Sequence, residues 1–580
     1  MLEIKTISQG LKEKISVYSP ESFIGKINFI MQVHHKNRSE LIRDKNSYLY
    51  LNSPARQLTY LVSLYLSIET HGDQIFDHQN EVEVFKLLNI IEKEYQNIFV
   101  SEIENNKEDF DDDRFKKMLV TSSTFLDYFQ NANLNYIEQD IERIFDTFQN
   151  YEDFIENKTG INLKDYIKFF NSTIQLSIAK EKEWVEIVNS IGWRDMISEY
   201  HHLTEEQFKL RFPDLNEVFF NYLTNPSLFL KFEAFELEKF LSSQHVQKLL
   251  DFFSIEFENN DFLYYTQSST ILKKPIVKIG DSYYFFFHKY LSRSIYDYLF
   301  DLCGDLDGSS ERIYKKRDLR IEGKVARIFK DFFQNDSRIF KNYIYNGEEK
   351  DLLILYRGLA LIVEVKANKK REPFRDVDKS FIRIKRDFKT SIQKGYDQTF
   401  PIKNAFNKQK EFEIQYEGGK YIVNPRRYSN VFSIIVTEER LGQIQTDLGL
   451  LLELSENDDY PWSLSVDDLE VFLLTLKRKK NKISEIIAFL RHRELLHERV
   501  ICNDELELCG YFFMDKKHFI DGCNHDGVFV SSPDLSDFFD DIYYSGMGFE
   551  NEIYKKEKIV DHSLKGHRLA EKLLLGKIRQ

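Results

Sequence analysis

Proline and glycine are sparse in this chain, 10 and 23 among 580 residues. Few long, punctuated loops are therefore expected, and the composition points to a helix-rich protein. Cysteine is rarer still, and the four present cannot build the disulfide framework of a small secreted domain. Cys502, Cys509, Cys523 and His525 lie near one another, but their spacing fits no closed zinc site. No stretch approaches the roughly 18 uncharged apolar residues of a membrane span; even the aromatic run 283–287 is flanked by Asp281, His288 and Lys289. A basic start followed by an apolar run and a small-residue cleavage site is missing too. A cytoplasmic protein without a membrane partner is the expectation. The chain has no phosphate-binding Gly-x-x-x-x-Gly-Lys-Ser/Thr loop, which argues against ATP-driven movement. Nor does it carry global positive charge. A net charge of −14 excludes coating nucleic acid by overall attraction and leaves room only for a local basic surface.

Apolar residues make up 42% of the chain and aromatics 15%, with 50 Phe and 32 Tyr, so large cores can be buried and a disordered chain is excluded. The length allows several domains. Residues 1–260 read as a predominantly α-helical domain whose side chains state no chemistry. In 57–69, for example, Leu58, Leu61 and Tyr65 recur at helical spacing. Two short strands are expected near 15–18 and 27–33. Residues 261–455 alternate strand and helix patterns, with strands near 263–266, 275–279, 283–287, 339–345, 421–423 and 431–436. Residues 456–580 read as a mostly helical extension, with helices at 465–477 and 482–498 and a strand at 506–514; a further helix is expected at 438–454. The fold class is thus α+β and multidomain, with a central mixed sheet flanked by helices.

Function concentrates in 349–368. Two apolar runs, 352–356 and 359–363, flank Arg357-Gly358, the pattern of a tight two-residue β-hairpin. That register places Asp351 directly opposite Glu364, with Lys366 on the same face and Val365 on the other. Two carboxylates facing each other at the end of a buried hairpin repel unless a cation joins them. A hard divalent ion held by oxygens and waters fits, and a lysine beside it could orient or deprotonate water.

These residues resemble the PD-(D/E)xK nuclease superfamily, whose core is the restriction-endonuclease-like fold. Asp351 matches the first acid of the pattern, Glu364-Val365-Lys366 the E-x-K, and Glu322, on an expected helix over 311–333, the helix glutamate. Lys350 stands where the family name has proline. Gln393 and Tyr396 resemble the glutamine and tyrosine of RecB-like members, one residue closer together than in that form. The resemblance implies a catalytic set of Glu322, Asp351, Glu364 and Lys366. It also implies Mg²⁺ or Mn²⁺ on Asp351, Glu364 and the Val365 carbonyl, with Gln393 and Tyr396 against the scissile strand. The expected substrate is DNA, with RNA as the alternative and endonucleolytic cutting as one mode. Gly323, beside Glu322, is expected to let its helix approach the sheet.

Residues 366–389 contain ten basic side chains against four acidic ones, a local charge of +6. The whole run is the expected phosphate-contacting segment, with Lys369, Lys370 and Arg371, which open it, singled out as nucleic-acid-binding residues. A nuclease core joined to a large helical region is the layout of restriction or anti-phage effectors, and a protein partner or a second copy is the expected regulator. The alternative is a non-catalytic scaffold whose nuclease-like core only docks nucleic acid.

Overall fold

The computed structural model describes residues 2–36, 50–104, 112–130, 135–190, 207, 210–211, 230–258, 260–304, 311–334, 337–367, 370–550 and 552. The chain is mixed α+β and separates into two compact units. One gathers Met1–Ile98 with Phe129–Ser310, and the other Phe99–Tyr128 with Glu311–Lys558. The divisions therefore fall elsewhere than 260 and 455: residues 261–310 join the N-terminal unit, and 456–550 join the unit holding the hairpin.

The N-terminal unit is built from helices, among them Leu2–Ile15, Pro20–Lys36, Pro54–Leu66, Leu163–Ser190 and His288–Gly304. Of the two strands expected before residue 45, 27–33 is helical, whereas 15–18 is the end of a helix and a turn that leads to an isolated bridge between Tyr18 and Gln74. Phe23, Ile24, Ile27, Ile30 and Met31 are all buried at three- and four-residue spacing, a helical stripe that outweighs the short alternation read from 27–33. A small sheet completes the unit: β1 (Lys231–Glu233), β2 (Ser254–Ile255), β3 (Ile276–Ile279) and β4 (Ser282–Phe285), ordered β1-β4-β3-β2. The expected strand at 263–266 is a turn, in which Gln267 Oε1 accepts the N–H groups of Leu263 and Tyr264. The helices expected between 191 and 229 lie outside the described residues, apart from 207 and 210–211.

The second unit holds a seven-stranded sheet of β5 (Arg338–Tyr345), β6 (Glu348–Tyr356), β7 (Leu359–Lys366), β8 (Phe412–Tyr416), β9 (Gly419–Val423), β10 (Asn430–Thr437) and β11 (Trp462–Ser465). Its order is β11-β10-β7-β6-β5-β8-β9. The β5–β6–β7 meander and β8–β9 are antiparallel, whereas β7, β10 and β11 run parallel. β10, enclosed by two neighbours, is buried along most of its length, as expected of a continuous apolar strand. On one face, Leu353, Leu355, Ala360 and Ile362 pack with Ile402 and Phe406 of the Lys394–Asn407 helix.

Past the sheet, helices Val466–Lys477 and Lys482–Arg493 form as expected, the first capped by Ser465. The helix expected at 438–454 shortens to Gln443–Thr446 and a 3₁₀ turn. The strand expected at 506–514 is the helix Glu505–Met514, capped by the Asp504 carboxylate. A short apolar run fits either element, and here the cap decides. All four cysteines are buried and free. Among the described residues no helix is long and apolar enough to cross a membrane.

Candidate active site

The site begins with the turn. Arg357 and Gly358 have φ of 32° and 85°, the two successive positive values of the turn that matches strand twist. From it the β6–β7 ladder runs Tyr356↔Leu359 to Leu352↔Val363, so the next step brings Asp351 level with Glu364. There the carboxylates continue the pairing: the Val365 N–H donates to Asp351 Oδ2 at 2.7 Å, and the Asp351 N–H to Glu364 Oε1 at 3.3 Å. Parallel pairing on the far side of β7 fixes the same end, with Glu364↔Ile435 and Lys366↔Thr437.

Lys366 closes over the pair. Its ammonium donates to Glu364 Oε2 at 2.9 Å and to the Val365 carbonyl at 3.2 Å, and lies 3.8 Å from Asp351 Oδ2. Those three oxygen donors are the ones the family resemblance assigns to a divalent ion. The place is built for positive charge, and the lysine ammonium stands in it. Two carboxylates and a carbonyl form a hard, oxygen-only donor set that suits Mg²⁺ or Mn²⁺. Among the described residues no group of three or more His, Cys, Asp or Glu side chains is arranged as a metal cage, so Asp351 and Glu364 would act as a pair, with water completing the shell.

Burial and charge shape the proton affinities. Glu364 is 1% exposed, and burial, reinforced by the neighbouring Asp351 charge, pushes its carboxyl up to about 7 against the pull of Lys366. Glu322, half-buried on the Glu311–Phe333 helix, is raised by burial and then by Asp351. The helix glutamate thus shares an electrostatic environment with the hairpin acids. A Cβ on Gly323 would meet nothing within 4 Å, so this glycine does not mark the close approach expected of it.

Several contributors were not anticipated. Arg317 and Arg320 both bind Glu438, Arg320 Nη2 donating at 2.8 Å and Arg317 Nε lying 3.4 Å away. Arg317 Nη2 also donates to the Ala367 carbonyl at 2.6 Å, and the Glu438 N–H donates to the Lys366 carbonyl at 3.2 Å. One turn on, the buried Lys324 lies 3.2 Å from Asp467 and 2.9 Å from Glu470. Arg317, Arg320 and Lys324 share one helical face, and this stripe fastens the Glu322 helix beside β7. Their spacing was a legible signal; their acidic partners were not. Asn342 is the β5 position facing Asp351. Its φ is 55° and the β5–β6 ladder skips it, so irregular backbone lies beside the first acid.

The expected nucleic-acid contacts are placed differently. Lys369 lies outside the described residues. Lys370 pairs with Asp127, its N–H donating to Glu439 at 2.8 Å, and Arg371 pairs with Asp387. Gln393 holds the backbone of Glu453 through both its amide oxygen and nitrogen, at 2.8 and 3.1 Å. The Tyr396 hydroxyl donates to Asp458 at 2.9 Å and accepts the Ser455 N–H at 3.0 Å. Both side chains are buried and brace the 453–458 loop. In comparisons with known proteins, no family model, curated protein or solved structure matches this chain.

Proposed function

We propose that this protein is a divalent-metal-dependent nuclease that hydrolyses DNA phosphodiester bonds on a restriction-endonuclease-like core. The observation that carries the reading is the Lys366 ammonium seated among Asp351, Glu364 and the Val365 carbonyl. A bound Mg²⁺ or Mn²⁺ would supply Lewis acidity at that position. Asp351, Glu364 and the Val365 carbonyl would hold it, which requires Glu364 to have lost its proton. Lys366, moved off these oxygens, would orient the attacking water and offset charge gathering on the phosphate. Glu322 would orient a ligand or water from the helix side. In the cell, joined to a mostly helical unit, such a core fits a restriction or anti-phage effector held silent until a protein partner or second copy engages it.

Circular and linear DNA, single- and double-stranded, incubated with Mg²⁺ or Mn²⁺ and with EDTA, tests this. Wild type, Lys366→Ala and Glu364→Ala are compared after each is shown to be folded. Metal-dependent cutting lost in both variants is expected, and cutting of the circle would define an endonuclease. Cutting that survives both substitutions would remove these residues from the chemistry. Nucleic-acid binding with no metal response at all would favour the non-catalytic docking core.

A further inference from the structure

We propose that the outer face of the Val377–Phe388 helix is the duplex-DNA contact of this protein, with Lys379, Lys385, Arg386 and the adjoining Lys389 held against the phosphate backbone. The proposal rests on the nuclease reading and narrows the phosphate contact from the whole basic run to one helical face. The helix follows β7 after a connection of ten residues, so the chain leads directly from Lys366 into it.

Amphipathic folding creates the face. Val377, Ser380, Ile384 and Phe388 are buried, and Ile384 and Phe388 pack with Ile435 of β10. The opposite side stands in solvent. Three of the four acids of the run are already engaged, and the fourth, the exposed Glu372, acts on Arg383. Asp376 caps the helix through the Lys379 N–H at 2.9 Å, Asp378 pairs with Lys117, and Asp387 pairs with Arg371. Among the described residues no carboxylate lies within ion-pair distance of Lys379, Lys385, Arg386 or Lys389. This is an uncompensated positive surface on a chain of net charge −14.

Arg383 shows that the crowding is real. Its guanidinium lies 3.8 Å over the Phe374 ring, and Nη2 is enclosed without an acceptor. Burial lowers its proton affinity first, and the neighbouring Arg371 and Arg386 charges lower it further against the opposing pull of Glu372. Cations gathered this closely, more numerous than the acids beside them, favour a polyanion. From Lys379 to Lys389 the helical rise is about 15 Å, roughly four base-pair steps along a duplex. The aromatic rings nearby are already covered: Phe388 is buried, Phe381 packs partly buried against the core, and the Arg383 guanidinium lies over the exposed Phe374 ring. The large exposed apolar side chain on the helix is Ile382, 70% exposed. Single-strand binders stack bases on aromatic rings, whereas a duplex hides its bases and presents phosphates. The face therefore suits a duplex.

The test measures full-chain binding to a fluorescent duplex, and to one of its strands alone, in EDTA across a salt series. Wild type is compared with Lys379→Gln/Lys385→Gln/Arg386→Gln/Lys389→Gln and with a control, Lys479→Gln/Lys480→Gln. Loss of four phosphate contacts should make the slope of log affinity against log salt shallower by about 3.6 for the duplex. The control should leave it unchanged, and all three proteins should melt alike. An unaltered slope in the quadruple variant, or an equal change on the single strand, overturns the proposal, as does wild type that binds no duplex in low salt. Parallel cleavage assays separate the two readings. Metal-dependent cutting with an unaltered slope removes this surface and keeps the nuclease. An altered slope with neither cutting nor any Mn²⁺ stabilisation that depends on Asp351 and Glu364 keeps the surface and removes the nuclease.

Discussion

Two groups of buried charge in the same unit are put together in opposite ways. Around Arg493, 1% exposed, every charge is answered: Glu505 takes Nε at 2.8 Å and Nη2 at 2.9 Å, the Trp462 indole donates to the same carboxylate at 2.7 Å, and Nη2 also reaches the Thr446 carbonyl at 2.5 Å. Around Glu364, two carboxylates share one ammonium, and that ammonium is 3.8 Å from the second acid. The first arrangement is closed, one cation to one anion with bidentate geometry. The second is short of positive charge. Saturation suits a network that fixes structure; on the nuclease reading, the deficit is where the divalent ion would sit.

The largest expected effect separates the two by what each variant loses. Asp351→Asn and Glu364→Gln should each lower DNA cleavage by at least about a thousandfold while melting at or above the wild-type temperature, because each relieves a repulsion. Arg493→Ala should do the reverse. It should destabilise by about 3–5 kcal/mol in denaturant unfolding, since it strands a buried carboxylate. Glu364→Gln that unfolds the protein, or Arg493→Ala that leaves stability intact, would erase the contrast.

Glu438→Gln comes next. This residue touches no expected substrate; it positions the Glu322 helix through Arg317 and Arg320. A tenfold to hundredfold loss of Mn²⁺ affinity is expected, of the order seen for outer-shell partners of metal ligands, about 10–100-fold. Titration calorimetry reads it, and Glu438→Asp should recover part of the loss.

A pH series sharpens the comparison further. In the unfolded chain Glu364 loses its proton in the ordinary carboxyl range, near 4.5, and in the folded chain it keeps it to about 7. The folded state therefore binds more protons between those values, and its stability should fall as pH rises through that window. Glu364→Gln should flatten the fall. Mn²⁺ affinity should rise with pH up to about 7 and level off above it, because the ion needs the ionised carboxylate. The smallest effect is expected from Lys366→Met, which removes the resident cation. Mn²⁺ should bind this variant several-fold more tightly even though cleavage is lost, and unchanged or weaker binding would show that the lysine does not compete for the position.

The hairpin and its acids were legible because a two-residue turn fixes register by counting, and Arg357-Gly358 announces that turn. Asp351, Glu364 and Lys366 meet as the count requires. What could not be read is what binds across long separations. Glu438 reaches the site only because β10 lies parallel to β7, and nothing near residue 438 signals that pairing. Gln393 and Tyr396 look like ligand contacts when taken alone, and only the 453–458 loop shows what engages them. Runs such as 506–514 are too short for periodicity to separate strand from helix, so the Asp504 cap settles the matter.

The lysine lodged between the acids also gives the site a sign. At rest its fixed groups, two carboxylates and one ammonium, never sum to a positive value, so an approaching phosphate meets an indifferent or hostile field. A divalent guest would turn the same walls cationic while freeing the lysine to face outward. On the nuclease reading, the order of arrival is then written into the electrostatics: the ion first, the nucleic acid second, and no cleft attractive to phosphate until the first has come.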